Sequence, residues 1–333
     1  MKTIRAAVVG VGAMGKNHAR VYAELEGVEL AAVADIDEER AKRISDKYRC
    51  RHYADYRKML SGEDLDVVSV VVPTNSHTRI ALECIGRGVN VLVEKPIADT
   101  VENAEKMISA ARKNKVKLSV GHVERFNPAV VELKRRLDAG ELGRIFKVAC
   151  VRVGPFPERI RDVGVVVDLA THELDIMRYL VGAEFKRVYA ESERRIHTTH
   201  EDLLNAVLKF ENDVVGTLDV NWLTPEKIRE LSVVGEEGMF VLKYLTQDLF
   251  FYEKVEGRLE GYDYSDILMG VAGGNVVDLR ISKTEPLKSE LSSFIDCVRD
   301  DERPRVSGED GLEALKVAYA LIDSSKRNKV ISL

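Results

Sequence analysis

The chain is poor in several kinds of residue, and each scarcity excludes a class of protein. Four cysteines in 333 residues stand far apart, without a CxxC pair or a neighbouring histidine, which predicts reduced thiols in a cytoplasmic protein. The longest stretch without a formal charge covers the 12 residues from 67 to 78, well below the ~18 that suggest a membrane span. Fifty Lys and Arg against 55 Asp and Glu leave a net charge of −5, without the basic excess that nucleic-acid binding requires.

Length and composition indicate a folded protein of two domains. The 333 residues exceed one ordinary domain, and 45% hydrophobic with 32% charged residues allow a substantial core. Up to about Gly121, short apolar runs alternate with longer amphipathic ones, which predicts a parallel sheet covered by helices on both faces, a doubly wound α/β domain. The predicted strands are residues 4–9, 29–34, 67–72, 90–93 and 117–120, and the predicted helices are residues 14–25, 37–48, 77–86 and 101–113.

The pattern changes after a boundary predicted near residues 121–127. Asn127-Pro128 is typical of a helix start, and a second helix is predicted over residues 165–180. Alternating runs follow, with a turn at residues 235–238, which predicts a mostly antiparallel sheet with helices on one side. Two further helices, at residues 286–299 and 309–325, are predicted near the end of the chain.

A glycine-rich turn opens the first predicted helix directly after the first strand. Gly10 allows the tight turn, Gly12 lets a pyrophosphate approach the backbone at the helix N-terminus, and Gly15 lets helix and strand pack closely. Asp35 ends the second strand, where a carboxylate accepts hydrogen bonds from ribose hydroxyls and repels a 2′-phosphate. NAD is therefore expected rather than NADP, although Arg40 lies one helical turn away. The predicted cofactor-binding residues of the turn are Gly10, Gly12, Ala13, Met14 and Gly15.

Two further groups of polar residues indicate catalysis. Glu94 and Lys95 follow the strand at residues 90–93, and ligands of an open parallel sheet bind beyond the carboxyl ends of its strands. Asp168 and His172 are spaced i, i+4 and share a helix face. A histidine oriented by a carboxylate suits acid–base work, whereas a capping Asp168 and a core His172 are the structural alternative. A metal is not expected, because no third ligand has suitable spacing.

Together these motifs resemble the Gfo/Idh/MocA oxidoreductase family. The resemblance runs along nearly the whole chain and includes Pro-Thr-Asn-Ser-His at residues 73–77 and Val-Ser-Gly-Glu-Asp-Gly at residues 306–311. It implies an NAD-binding Rossmann domain at residues 1–121. For residues 122–333 it implies an α+β domain that binds substrate and whose large open sheet joins a homodimer or homotetramer. By matching position it implies that Lys95 is the active-site lysine and that Asp168 and His172 are the acid–base pair. The further residues that it places along the cofactor are Thr74, Asn75, His77, Glu94 and Lys95.

The segment before Asp168 departs from many members of that family. Those members carry a Gly-Gly-rich loop ahead of the aspartate, whereas residues 162–167 here read Asp-Val-Gly-Val-Val-Val. With residues 121–128, this segment resembles archaeal and bacterial UDP-N-acetylglucosamine 3-dehydrogenases more than inositol dehydrogenases. Arg152, Arg159 and Arg161 flank a Gly-Pro-Phe-Pro turn and are predicted to bind substrate phosphate, because guanidinium groups pair with phosphate oxygens. A solvated basic loop is the alternative.

The resulting hypothesis is an NAD-dependent dehydrogenase that oxidises a secondary hydroxyl of a sugar, the 3-OH of UDP-N-acetylglucosamine. His172 contacts the substrate and removes the hydroxyl proton while Lys95 stabilises the charge on the oxygen, and the two residues could exchange roles. The alternatives are an inositol 2-dehydrogenase, a simple aldose dehydrogenase, and a non-catalytic NAD-binding sensor of the same fold. No nucleic-acid or membrane partner is expected.

Overall fold

A computed structural model of the chain describes residues 3–157, 163–196, 199–254 and 274–333. The chain divides into two compact units. The first comprises Met1–Phe126 and Glu285–Lys316, and the second comprises Asn127–Thr284 and Val317–Leu333. This division differs from the predicted split into residues 1–121 and 122–333, because a segment near the end of the chain returns to the first unit.

The first unit contains a parallel sheet with the strand order β3-β2-β1-β4-β5-β6. Its strands are β1 (Ile4–Val9), β2 (Val28–Ala34), β3 (Arg51–Tyr53), β4 (Val67–Val70), β5 (Asn90–Glu94) and β6 (Leu118–Gly121). Its first five helices are α1 (Gly15–Glu24), α2 (Glu38–Tyr48), α3 (Tyr56–Gly62), α4 (His77–Gly86) and α5 (Val101–Asn114). This strand order is that of a Rossmann domain, in which the chain reverses direction across the sheet between β1 and β4.

The predicted doubly wound sheet is confirmed, and its strands follow from their apolar runs. All residues of the central strand β4 are buried, as expected for a strand covered on both faces, and all residues of the edge strand β6 are buried as well. β3 and α3 were not predicted from the sequence. β3 is only three residues long and carries Arg51 and His52, so it presents no apolar run that would mark it as a strand.

The second unit contains a sheet with the strand order β14-β13-β12-β11-β7-β10-β9-β8-β15, in which β7 and β10 are parallel and the other neighbours antiparallel. Its α-helices up to residue 279 are α6 (Pro128–Asp138) and α7 (Thr171–Val181). Its strands up to residue 279 are β7 (Ile145–Pro155), β8 (Phe185–Glu193), β9 (Leu203–Phe210), β10 (Val215–Asn221), β11 (Leu223–Gly235), β12 (Gly238–Lys243), β13 (Asp248–Glu253) and β14 (Val276–Leu279). Both helices pack on one face of this sheet, where they form a core with residues such as Leu133, Leu174 and Leu218.

The end of the chain contributes to both units. It forms α8 (Pro286–Arg299), α9 (Gly308–Arg327) and the short edge strand β15 (Ile331–Ser332). Leu291 and Phe294 of α8 join the core of the first unit beside α1, which explains why this helix does not belong to the second unit. Residues of α9 from Val317 onward join the core of the second unit.

Among the helices of the described residues, none combines the length and the apolar character needed to cross a bilayer.

Candidate active site

The turn between β1 and α1 is shaped by its glycines. Gly10 has a φ of +85°, and a Cβ atom there would lie 2.2 Å from the Val71 carbonyl oxygen. A Cβ atom at Gly15 would lie 1.8 Å from the Gly10 carbonyl oxygen, so helix and turn approach without room for a side chain. At Gly12, by contrast, no atom of the described residues lies within 4 Å of a Cβ position, and the backbone is open to a ligand.

The N-terminus of α1 completes this cradle. The cap residue, Met14, makes no side-chain hydrogen bond to the helix, and the first turn carries no acidic residue. The first N–H groups of a helix have no partner within the helix, and they attract anions. The turn therefore fits the pyrophosphate of a dinucleotide, as the sequence predicted for residues 10–15.

Asp35 lies at the carboxyl end of β2 with a side chain only 6% exposed. Its Oδ2 accepts a hydrogen bond from the Val11 N–H at 2.9 Å, and its Oδ1 accepts one from the Asp37 N–H at 3.0 Å. Arg40 Nη1 lies 3.4 Å from both Asp35 oxygens, and Arg40 Nη2 lies 3.0 Å from Asp37. Because two carboxylates engage this guanidinium, the arrangement fits NAD better than a 2′-phosphorylated cofactor.

The segment after β4 forms a 3₁₀ turn, Thr74–Ser76, that leads into α4. Thr74 is buried and Asn75 is exposed. His77, which the resemblance placed along the cofactor, is only 1% exposed. Its two ring nitrogens each lie 2.9 Å from a main-chain carbonyl oxygen, that of Pro96 for Nδ1 and that of Val72 for Nε2. The structure thus engages this imidazole with the protein's own backbone.

Glu94 and Lys95 follow β5 at the same edge of the sheet. Glu94 Oε1 lies 3.1 Å from His18 Nε2, and Oε2 accepts the Lys95 N–H at 3.2 Å. Burial by itself raises the pKa of the Glu94 carboxyl, but the His18 hydrogen bond and nearby positive charges, including Lys95, lower this pKa below its usual value. Glu94 is therefore an ionised carboxylate beside the half-buried Lys95.

In the second unit, Asp168 and His172 lie on either side of a change in helix type. Asp168 lies in a π-helical turn, Val166–Ala170, and His172 is the second residue of α7. The sequence predicted one continuous α-helix here. Thr171 Oγ1 donates to the Val167 carbonyl oxygen at 2.9 Å, a contact that competes with the regular helical ladder. Single π turns inside α-helices are frequent at functional sites, and Asp168 is nearly buried while His172 is half-buried.

Arg152 lies in β7 rather than in a loop, and its side chain is 2% exposed. Its Nε donates to Glu173 Oε1, and its guanidinium carbon lies 5.3 Å from the centre of the Tyr244 ring. The Tyr244 hydroxyl donates to Glu173 Oε2 at 2.9 Å. Arg152, predicted to bind substrate, is thus inside the second unit and paired with the residue next to His172. Arg159 and Arg161 lie outside the described residues.

The sequence itself contains a signal for the buried Arg152–Glu173 pair. Leu169, Ile176 and Leu180 form the apolar stripe of the helix predicted over residues 165–180, and Glu173 occupies the same stripe. Arg152 likewise takes an inward position of β7, two residues after Cys150. Opposite charges at two inward positions predict a buried ion pair. Among all the described residues, the His, Cys, Asp and Glu side chains form no group that could hold a metal ion.

Comparisons with known proteins match both parts of the chain. A model of an oxidoreductase family with an NAD-binding Rossmann fold matches residues 4–122, and a GFO/IDH/MocA C-terminal domain model matches residues 130–241. A UDP-N-acetylglucosamine 3-dehydrogenase of Acidithiobacillus ferrooxidans is 30% identical over 89% of this chain and 88% of that protein. A solved structure of such an enzyme from that organism has a TM-score of 0.86 at 27% identity, covering 98% of this chain and 99% of the other.

The chain belongs to the Gfo/Idh/MocA oxidoreductase family. This confirms the resemblance found in the sequence motifs and the expectation of an NAD-binding dehydrogenase. Inositol dehydrogenases are also relatives: a scyllo-inositol 2-dehydrogenase of Bacillus subtilis is 26% identical over 99% of this chain and 96% of that protein.

Replacing Asp35 tests the cofactor site. We expect Asp35→Ala to weaken NAD binding far more than NADP binding, because it removes acceptors for the ribose hydroxyls and the repulsion of a 2′-phosphate. Titration of each cofactor against protein fluorescence measures both dissociation constants. Asp37→Asn is the matched control, because it removes a neighbouring charge while an amide oxygen can still cap α2. An equal loss for both cofactors in Asp35→Ala would exclude Asp35 as the ribose ligand.

Breaking the Arg152–Glu173 pair tests the interior of the second unit. We expect Arg152→Met to lower the free energy of unfolding by about 3–5 kcal/mol, because it leaves the Glu173 charge buried without its guanidinium. Replacing both residues by Met should recover much of that loss, because no charge is then left unpaired. The control is Glu184→Gln, which breaks a half-exposed pair with Arg178 and should cost about 0–1 kcal/mol. Urea unfolding measures all three, and a loss below that of the control would contradict the buried pair.

Proposed function

We propose that this dehydrogenase oxidises the 3-OH of UDP-N-acetylglucosamine to the 3-keto sugar. The observation that carries the proposal is the likeness to the Acidithiobacillus ferrooxidans enzyme, which extends over most of the sequence and nearly the whole fold. The alternative is an inositol or a simple aldose substrate, which the inositol dehydrogenase relatives favour. Residues 162–167, which lack the Gly-Gly-rich loop, favour the nucleotide sugar over inositol.

The proposed chemistry divides between the cofactor and this chain's residues. Oxidation of a secondary alcohol releases a hydride from carbon and a proton from the hydroxyl, and NAD, when bound, supplies the acceptor for the hydride. His172 takes the proton, and the Lys95 ammonium donates a hydrogen bond to the same oxygen and stabilises its developing charge. Asp168 orients His172. Lys95 and His172 could exchange roles, because either side chain has the chemistry to accept the hydroxyl proton.

The residues of the first unit offer a binding site for NAD. The N–H groups at Ala13, Met14 and Gly15 would hold the pyrophosphate and Asp35 the adenosine ribose. Ile36, next to Asp35, is 97% exposed, and an aliphatic side chain in water at this place offers an apolar surface to the adenine. Thr74 and Asn75 would lie along the rest of the cofactor.

A substrate panel tests the proposed function. The protein is incubated with NAD or NADP and with UDP-N-acetylglucosamine, UDP-glucose, free N-acetylglucosamine, myo-inositol, scyllo-inositol or an aldose, and reduced cofactor is followed by absorbance. We expect turnover with UDP-N-acetylglucosamine and NAD to have the highest kcat/KM. A higher value for an inositol or for the free sugar would overturn the nucleotide-sugar assignment while leaving the dehydrogenase intact.

Substitution of Lys95 and His172 tests the active site. We expect Lys95→Met to lower kcat by ~10²–10³, because one preorganised donor to the oxyanion is lost while the volume of the side chain is kept. His172→Asn should lower kcat and flatten the fall in rate at acidic pH, since no imidazole remains to be protonated. The two losses should combine less than additively, because both act on one hydroxyl proton.

The controls for these variants are Lys106→Met, at an exposed side chain of α5, and His52→Asn on β3, and NAD affinity is measured for every variant. Both controls should keep normal kcat. Normal turnover in Lys95→Met or His172→Asn, with NAD still bound, would show that the catalytic residues lie elsewhere.

We also propose that the second unit's sheet pairs with the same sheet of a second copy of the chain. Side chains on the face opposite the core form three rows across β8, β9, β10, β7 and β11. The central row, which has no formal charge, is Tyr189, Val207, Thr217, Ala149 and Ser232. The row on one side is Arg187, Lys209, Val215, Lys147 and Val234. The row on the other side is Glu191, Asn205, Asp219, Val151 and Glu230.

These rows make the face complementary to itself. The row that contains Arg187 is basic, and the row that contains Glu191 is acidic. A two-fold axis parallel to the central row would place the basic row of one copy opposite the acidic row of the other. A two-fold axis parallel to the strands would instead place like charges opposite each other. Val207 is 53% exposed in the isolated chain, as expected for an apolar residue that a second copy would cover.

Charge exchange tests this arrangement. We expect the native protein to be a dimer or a tetramer in sedimentation equilibrium, and Arg187→Glu or Glu191→Arg alone to weaken association, because each opposes like charges. The combination of both substitutions should restore association, since the complementary pattern is exchanged and not removed. Lys106→Glu, on α5, should have no effect. A native monomer would overturn the interface, and a combined variant no better than the singles would overturn the proposed axis.

A further inference from the structure

Two buried imidazoles, those of His18 and His77, hold the residues before and after Lys95. On one side, His18 of α1, which is 0% exposed, contacts the Glu94 carboxylate, and that carboxylate also accepts the Lys95 N–H. On the other side, His77 of α4 contacts the Pro96 carbonyl oxygen. Neither histidine belongs to β5 or to the segment that follows it, so two helices converge on the residues that flank Lys95.

His18 ends a buried chain of hydrogen bonds whose direction is set by chemistry. Glu94, being ionised, only accepts, so His18 Nε2 carries a proton and donates to it. His18 Nδ1 lies 3.2 Å from Ser69 Oγ, and Ser69 Oγ lies 2.8 Å from the Tyr22 hydroxyl. Tyr22 can therefore donate to Ser69, Ser69 to His18, and His18 to Glu94. With a neutral His18, each of these four side chains has a hydrogen-bond partner of the right kind.

His77 requires the other charge state. Both of its ring nitrogens lie 2.9 Å from main-chain carbonyl oxygens, those of Pro96 and Val72. A carbonyl oxygen only accepts, and a neutral imidazole has one N–H donor and one lone pair. In a neutral His77, one nitrogen would present its lone pair to an oxygen lone pair at 2.9 Å. Two hydrogen bonds form only if both nitrogens are protonated.

The surroundings of His77 supply the balancing charge. Glu94 is an ionised carboxylate whose lowered pKa reflects attraction to His18, Lys95 and His77 against the opposing effect of burial, so its charge favours protonation of His77. α5 packs beside α4, and its buried residues are the apolar Ala104, Met107, Ile108 and Ala111, whereas its charged side chains are exposed. Gly121 of β6 leaves room for the carboxylate, since a Cβ atom there would lie 3.1 Å from it.

We propose that His77 is held as an imidazolium, and that His77 and His18 are positioning residues that fix the Lys95 side chain by holding the backbone before and after it. The role of Lys95 itself rests on the proposed function. The imidazolium state of His77 does not, and it can be tested on the protein without substrate.

Nitrogen NMR tests the charge state. Long-range proton–nitrogen spectra of the ¹⁵N-labelled protein at pH 7.5 report whether each imidazole carries one or two protons. An ordinary histidine is about nine-tenths neutral at that pH. We expect one fully protonated imidazole with slowly exchanging ring protons, and its loss from the spectrum of His77→Gln. A spectrum in which His77 is a neutral tautomer would overturn the proposal.

The reactivity of Lys95 tests its positioning without any turnover. Competitive reductive methylation, read out by peptide mass spectrometry, gives the relative reactivity of each lysine amine. We expect the rate at Lys95 to change several-fold in His77→Gln and in His18→Gln, and the rate at Lys106 to stay constant. His52→Gln is the matched control, because it removes a partly buried histidine hydrogen-bonded to Ser45 at 3.1 Å in the same unit. An unchanged rate at Lys95 in both variants would overturn the positioning role.

A double-mutant cycle separates positioning from general structural damage. We expect His77→Gln to lower kcat by ~10–10² through misplacement of Lys95. The same substitution in a Lys95→Met background should change kcat less than about twofold, since the group that it positions is gone. Equal losses in the two backgrounds would overturn the proposal. Should His77→Gln fail to fold, His18→Gln runs the same cycle, and absence of turnover with every sugar would refute the proposed function while the NMR and labelling results still decide the inference.

Discussion

Parallel strands in one sheet all end at the same edge, and the first unit depends on this constraint. The turn after β1, Asp35 after β2, the 3₁₀ turn after β4 and Lys95 after β5 are far apart in sequence, yet the common strand direction brings them to one edge. The strand order reverses between β1 and β4, where loops diverge and leave a crevice for a ligand. The apolar strands are therefore what makes the polar residues of the edge into a single site.

Buried charges in both units are paired beside the predicted catalytic residues. Glu94, which precedes Lys95, is held by His18, and Glu173, which follows His172, is held by Arg152 and Tyr244. Leaving either carboxylate buried without its partner would cost roughly several kcal/mol of folding free energy. Both pairs therefore depend on the fold that brings their members together. In each unit the side chain predicted to react is half-exposed, while its neighbour in sequence is paired in the interior.

The secondary structure was predicted where local pattern and burial agree. The core strands and α8 were found from apolar runs and a proline at the helix start, and the glycine turn was found from its spacing. β3 was missed because an edge strand of three residues, two of them Arg51 and His52, has no apolar pattern. The π turn before α7 was missed because one extra residue in a single turn hardly alters the spacing of the apolar residues along the helix.

The sequence by itself determined the class of fold, the cofactor turn and the family, because these depend on local periodicity and on short motifs of fixed spacing. Only the tertiary structure decided what the charged and imidazole side chains do. Arg152 was expected to meet a substrate phosphate and His77 to lie along the cofactor, but one pairs with Glu173 and the other with two carbonyl oxygens. A polar side chain has the same chemistry at the surface and in the interior, and its partner is set by contacts between residues far apart in the chain.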